Sequence, residues 1–130
     1  MKKKLPLPKM LALAQQDFNA YIRERDRDKG CISCNGPVQH AGHYFSQGHH
    51  SALRYNEMNV NGQCERCNTF LHGNLIHYRN GLIKRYGLEK VLMLESSSRR
   101  TVKKWSDAEL QAIRELYKSE LKKIKDGTPY

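Results

Sequence analysis

Apolar positions change their spacing several times along this chain, and the changes divide it. From about Met10 to Lys29, Leu13, Ala14, Phe18, Tyr21 and Ile22 recur at the three-to-four-residue spacing of an amphipathic helix. Towards its end Arg23, Arg25 and Arg27 alternate with Glu24, Asp26 and Asp28, which predicts a strongly solvated last turn, and Gly30 stops the helix. Between Cys31 and Gly62 the helical period disappears. Gly36-Pro37, Gly42, Gly48 and Asn61-Gly62 mark turns, with short strand-like pieces such as "VQHAGHYF" between them. From Cys64 a helical pattern returns, broken by "HGN" at His72 to Asn74, resumed through "LIHYRNGLIKRYG" and ended by Gly87. "LEKVLMLESS" then predicts another short helix, and the polar, basic "SSSRRTVKK" reads as a linker. After it, "SDAE" at Ser106 to Glu109 is a capping-box pattern that opens a last helix. Leu110, Ile113, Tyr117, Leu121 and Ile124 form its apolar stripe, which serves either the chain's own core or a partner subunit in a homodimer. The pattern predicts an α+β chain in three parts: a basic arm and helix over 1–30, a central unit over 31–95, and a linker with a C-terminal helix over 96–130.

Only 38% of the residues are hydrophobic, so the core is modest, and a small core usually needs a staple. Charge narrows the partners. The 23 Lys and Arg outnumber the 13 Asp and Glu, for a net charge of +10. The excess is spread over "MKKK", "YIRERDRDK", "IKRYG", "SSSRRTVKK" and "LKKIKD". Distributed positive charge suits a polyanion, because each neutralised phosphate releases counterions. Nucleic acid is therefore the expected partner, with a merely solvated basic surface as the plainer reading. No run of about eighteen apolar residues exists, so no membrane partner is expected. "MKKKLPLPKMLALA" loosely resembles a leader, but Pro6, Pro8 and Lys9 interrupt it, and it reads as a basic arm entering a helix. A cytoplasmic protein is expected, and in that compartment paired cysteines are seldom disulfides.

The four cysteines supply the staple. "CISC" holds Cys31 and Cys34, and "CERC" holds Cys64 and Cys67. Two-residue spacing lets both thiolates of a pair face one tetrahedral ion, so two such pairs predict a structural zinc site. Disulfides, a redox dithiol and an iron–sulfur cluster are the competing readings. Four sulfurs leave a zinc ion no open position, and such an ion staples without doing chemistry.

Four of the six histidines, His40, His43, His49 and His50, lie between the knuckles. Asn68 directly follows Cys67, and His72 lies one helical turn further on. A strand carrying His43, a loop, a second strand and a helix carrying Asn68 is a layout that resembles the ββα-metal nucleases, also called HNH or His-Me finger enzymes. More specifically, "CISC…QHAGHYFSQG…LRYNEMNVNGQCERCN…GNLIHYRNGLIKRYG" looks like the NinG family of lambdoid phages, the Rap-type recombination nucleases. The likeness extends from "FNAYIRERD" to the Trp105 helix. The cysteine and histidine pattern alone also resembles phage endonuclease VII.

The resemblance implies a zinc-stapled ββα-metal core with flanking N- and C-terminal helices, and a phage protein acting in the bacterial host. It implies that His43 is the general base, as a neutral imidazole suits that task near neutral pH. Asn68 matches the residue that holds Mg²⁺ or Mn²⁺ through its amide oxygen. Asn59 matches the Asn that pins the loop carrying the histidine. One position departs from the pattern. The residue before the base is usually an Asp or His that ligates the metal, and here it is Gly42. Either Asn68 is the main protein ligand or an imidazole fills in, from His72 first by its helical phase, or from His40, His49 or His50. Arg54, Arg79, Lys84 and Arg85 are the expected phosphate contacts, with solvated charge as the plainer reading of each. His49, His50 and His77 default to exposed loop residues, and Asn59, Asn61 and Asn68 have the plainer reading of turn or cap residues. The expected function is a metal-dependent endonuclease for branched DNA, such as Holliday junctions and D-loops. A non-catalytic zinc module that binds nucleic acid and a recombination adaptor acting through the last helix are the alternatives.

Overall fold

A computed structural model describes residues 4–97 and 102–127; part of the expected linker, residues 98–101, lies outside them. The fold is α+β. Helix α1 (Leu7–Asp26) is followed by strand β1 (His40–His43), strand β2 (Val60–Gln63), and helices α2 (Leu75–Tyr86), α3 (Leu88–Ser97) and α4 (Asp107–Lys125). The strands pair antiparallel, with His40 opposite Gln63 and His43 opposite Val60. A short 3₁₀ turn at Ser51–Leu53 lies between the strands, and a π-type turn at Arg66–Phe70 follows the second.

Local chemistry explains most boundaries. Pro6 precedes α1 and Pro8 sits in its first turn, where a missing N–H costs nothing. The capping box closes as expected: Ser106 Oγ accepts from the Glu109 amide at 3.1 Å, and Glu109 Oε1 accepts from the Ser106 amide at 3.0 Å. Gly87, at φ +91°, ends α2.

Two apolar clusters hold the elements. In the first, α1 lays Met10, Ala14, Phe18 and Ile22 against Leu110 and Tyr117 of α4, with Tyr55 and Val60 beneath. The expected apolar stripe of α4 therefore packs on the chain's own first helix. In the second, Tyr78 and Leu82 of α2 meet Val91 and Leu94 of α3, Ile32 and Leu53. The sheet lies between the two clusters, with α1 against it.

Three sequence expectations are corrected by this packing. The end of α1 is not solvated throughout: Asp26 is fully buried, because its carboxylate turns inward to accept from the Gly62 amide at 2.7 Å and to pair with Arg25 at 2.7 Å. Asn61-Gly62 and Gly42 do not turn the chain; they are strand residues. Glycine is needed at 62 because a β-carbon there would lie 2.9 Å from Asp26 Cβ and 2.7 Å from Val38 Cγ1. The first turn after the second knuckle is π-type, and His72 (φ 50°) and Asn74 (φ 46°) are left-handed, so His72 is not on a helix with Asn68.

Gly81, in the middle of α2, is a further close approach. A β-carbon there would stand 1.9 Å from the Ile32 carbonyl oxygen, on the segment that carries the first knuckle. Gly81→Ala is expected to destabilise the protein by about 1–3 kcal/mol through overpacking, despite the better helix propensity of alanine. A thermal melt with an unchanged or raised midpoint would contradict that contact.

Candidate metal centre and cleft

The knuckles bring all four sulfurs within 4.8 Å of one another, with Cys34 and Cys64 Sγ 3.6 Å apart. Tetrahedral zinc with about 2.3 Å bonds spaces its sulfurs by about 3.8 Å, so the four thiols fit such an ion. N–H groups face three of them: Gly36 N to Cys34 Sγ at 3.4 Å, Cys67 N to Cys64 Sγ at 3.4 Å and Asn74 Nδ2 to Cys67 Sγ at 3.5 Å. Such donors favour thiolate over thiol and set the orientation of the ligands. Backbone bonds from Ile32 N to Gly62 O at 2.9 Å and from Gln39 N to Gln63 O at 2.9 Å tie the first knuckle to β2. A metal held here fixes the strand pair.

His43, at the end of β1, lines a cleft of about 380 Å³ together with Gln15, Ser46, Gln47, Asn68 and His72. Its Nε2 is 3.1 Å from the Arg54 carbonyl oxygen. A carbonyl only accepts, so Nε2 carries the proton and Nδ1 keeps its lone pair. Burial lowers the His43 pKa below the ordinary 6.5; the bond to the Arg54 carbonyl raises it in part, and the Arg54 charge adds to the lowering. The ring is thus neutral at pH 7. Gln15, which reaches over from α1, accepts from Arg54 Nε at 2.8 Å and steadies the residue that orients the imidazole.

The other predicted residues are placed as follows. Asn68 lies in the π-type turn, half-buried, with Nδ2 3.0 Å from His40 Nδ1. His72 is exposed at the cleft edge, His49 and His77 are exposed, and the His50 ring packs at a tilt against Phe45. Asn59 is fully buried outside the cleft. Its Oδ1 accepts from the Phe45 amide at 2.8 Å, and its Nδ2 donates to the Phe45 and Leu53 carbonyls at 3.0 and 3.1 Å. It thereby joins both ends of the loop after His43. Arg54 stands beside the cleft. Arg79 is held bidentate by Glu95 at 2.8 and 3.0 Å, and Arg85 donates to the Gly30 carbonyl at 2.7 Å. These two cations have partners inside the fold, whereas Lys84 is exposed on α2.

Tyr78 is a positioning residue with no sequence signal beyond its helical phase with Leu82. Fully buried, its hydroxyl donates to the Gly42 carbonyl at 2.7 Å and accepts from Asn61 Nδ2 at 3.2 Å. It fixes the backbone immediately before His43. Burial pushes its pKa up, so it stays a donor at any working pH.

Comparison with known proteins places the chain. The family model described as "Bacteriophage Lambda NinG protein" matches residues 2–127. The chain belongs to the NinG family. The protein ninG of Salmonella phage P22 is 42% identical over 117 residues, 88% of this chain and 57% of that protein. The protein ninG of Escherichia phage lambda is 43% identical over 117 residues, 88% of this chain and 56% of its own length, and that of Escherichia phage 933W is 42% identical. The chain thus spans a little over half the length of the curated family members it matches. No solved structure matches it. Among the described residues no helix is long and apolar enough to cross a membrane.

Proposed function

We propose that this NinG-family chain is a metal-dependent endonuclease that hydrolyses phosphodiester bonds in branched DNA recombination intermediates, Holliday junctions and D-loops among them. Its core is then a zinc-stapled ββα-metal unit made of β1, β2 and the turn carrying Asn68. The observation that carries the reading is the placement of His43: Nε2 bound to the Arg54 carbonyl, which leaves Nδ1 as the base, in a cleft shared with Asn68, with burial lowering its pKa.

Hydrolysis needs a deprotonated water, an electrophile at the phosphate and stabilisation of the leaving 3′-oxygen. His43 Nδ1 takes the proton from the attacking water. Asn59, the Arg54 carbonyl and Tyr78 hold the strand and loop so that the imidazole does not turn away. Asn68 offers a neutral amide oxygen, a donor that suits Mg²⁺ or Mn²⁺. When bound, that cation supplies the Lewis acid and neutralises charge at the leaving oxygen. Arg54 and Lys84 contribute positive potential, and the net charge of +10 draws the chain to a polyanion. The preference for branched DNA is carried over from the family likeness. Cutting both strands of a junction suits a homodimer, and the bacterial cytoplasm during phage growth is the proposed compartment.

Because the base titrates below the ordinary histidine value, cleavage is expected to rise with pH along an acid limb whose inflection lies below 6.5, and to be flat through pH 7 to 8. An inflection above 6.5 in single-turnover rates would assign the limb to another group.

The proposal is tested with a labelled four-way junction and a linear duplex of the same sequence, each with Mg²⁺, Mn²⁺ or EDTA. Cuts in the junction that need the metal support the enzyme. Tight binding without cuts in either metal supports instead a non-catalytic zinc module, the reading that the glycine at position 42 favours.

A further inference from the structure

Gly42 leaves the position before the base without a side chain, yet the space beside it is filled. A β-carbon on Gly42 would lie 1.8 Å from Gln63 Oε1 and 2.9 Å from Asn68 Oδ1, so these two amide oxygens converge on one small volume. Gln63 is 0% exposed, and its Oε1 is buried with no hydrogen-bond partner among the described residues.

The orientation of the Gln63 amide is not arbitrary. Gln63 Nε2 donates to the Gly73 carbonyl at 2.8 Å and to Ser33 Oγ at 3.0 Å. The Gly73 carbonyl cannot donate, so the Gln63 amide cannot be turned over without losing that bond. Asn68 Nδ2 lies 3.0 Å from His40 Nδ1, a ring nitrogen that accepts from it in the tautomer with the proton on Nε2. That bond directs Asn68 Oδ1 away from His40 and towards Gly42. Two acceptors brought together without a donor, one of them fully buried, is a costly arrangement. A hard divalent cation relieves it, because oxygen atoms, neutral amides included, are its ligands.

We propose that Gln63 Oε1 is the second protein ligand of the divalent cation, replacing the side chain absent at position 42, and that His40 is the positioning residue that aims Asn68 Oδ1 at the same ion. This rests on the cation-dependent reading above. It accounts for Gly42, because any larger residue there would collide with the ligand that supplants it. It also removes the need for an imidazole ligand from His72, whose exposed ring is left to the cleft edge.

Crystals of the full chain soaked in MnCl₂ test this without altering a residue. Anomalous scattering is expected to place one manganese within about 2.5 Å of both Gln63 Oε1 and Asn68 Oδ1. A manganese bound through Asn68 or His72 alone, or a water at Gln63 Oε1 with no anomalous signal, overturns the assignment. In solution, free Mn²⁺ measured by electron paramagnetic resonance is expected to show affinity at least about tenfold weaker for Gln63→Leu and for His40→Leu. His40→Gln, which can still accept from Asn68, restores it. Zinc content and circular dichroism confirm that the variants are folded; wild-type affinity in folded Gln63→Leu overturns the proposal. Cleavage is read separately. Metal-dependent cutting with manganese away from Gln63 overturns the ligand and spares the nuclease, whereas manganese on Gln63 without cutting supports the ligand and removes the nuclease.

Discussion

Stripping zinc with a strong chelator, or replacing Cys67 with serine, is expected to unfold the central part of the chain. The four sulfurs are the junction between the segment before β1, the end of β2 and the turn that carries Asn68. Structural zinc contributes on the order of 10–16 kcal/mol in small zinc-finger peptides at neutral pH, which matches or exceeds the whole stability of a typical domain, about 5–15 kcal/mol. The apolar clusters left behind are small and separate, and neither replaces that contribution. Metal analysis is expected to find one zinc per chain, and chelation to collapse the near-ultraviolet circular dichroism together with the proposed DNA cleavage. A chain that keeps its melting transition with no metal bound would remove the staple.

Asp26→Ala is expected to cost about 3–5 kcal/mol, more than any substitution on the surface of α1. The carboxylate is 0% exposed and bridges α1 to β2, accepting from the Gly62 amide and from Arg25, with Arg85 Nη1 3.6 Å away. Removing it takes the shared buried carboxylate from two guanidinium groups that are themselves largely covered, 13% and 18% exposed. Among the described residues that leaves Arg25 only the half-exposed Glu57 carboxylate, at 3.7 Å, as an anionic partner, and Arg85 only the neutral Gly30 carbonyl. Burial alone would raise the Asp26 pKa; the Arg25 pair, the Gly62 amide and Arg85 outweigh it and hold the carboxyl below its ordinary 3.8. A carboxyl depressed in the folded state contributes its stability fully above the unfolded value and loses it as pH falls through the folded one. Urea titrations should therefore show this part of the stability intact at pH 5 and above and disappearing below about pH 4 in the wild type. In Asp26→Ala that acid dependence is expected to be missing. Equal stability of the two proteins at pH 7 would contradict the bridge.

The features legible in the sequence were those encoded over a few residues. Two C-x-x-C pairs announce a sulfur cage because the ligand spacing is itself the chemistry, and Ser106 with Glu109 announces a helix start because both halves of the box lie within one turn. The hidden features depend on partners far away in sequence. Asp26 sits in an alternating run of acids and bases that reads as a solvated surface, and only the fold of Gly62 over it reveals a buried bridge. Asn61-Gly62 has the composition of a hairpin turn, but the glycine answers to the packing of Asp26 and Val38 on a strand. His72 has the right phase for a helix with Asn68, and the π-type turn with left-handed residues after it breaks that phase while leaving both on one cleft. Gln63 carries no signal in the sequence, because what marks it, an unpaired buried oxygen beside Gly42, arises only when β1 pairs with β2.

The proposed role of the His43 imidazole as the base of a hydrolytic site is tested most directly by comparing wild type and His43→Ala on one labelled four-way junction with Mg²⁺, measuring single-turnover cleavage and junction affinity on the same preparations. The base is expected to be worth about 10²–10⁴-fold in rate, with affinity for the junction within about twofold because binding rests on phosphate charge. Equal cleavage by the two proteins, or no cleavage by the wild type under conditions in which it binds the junction tightly, would contradict the account.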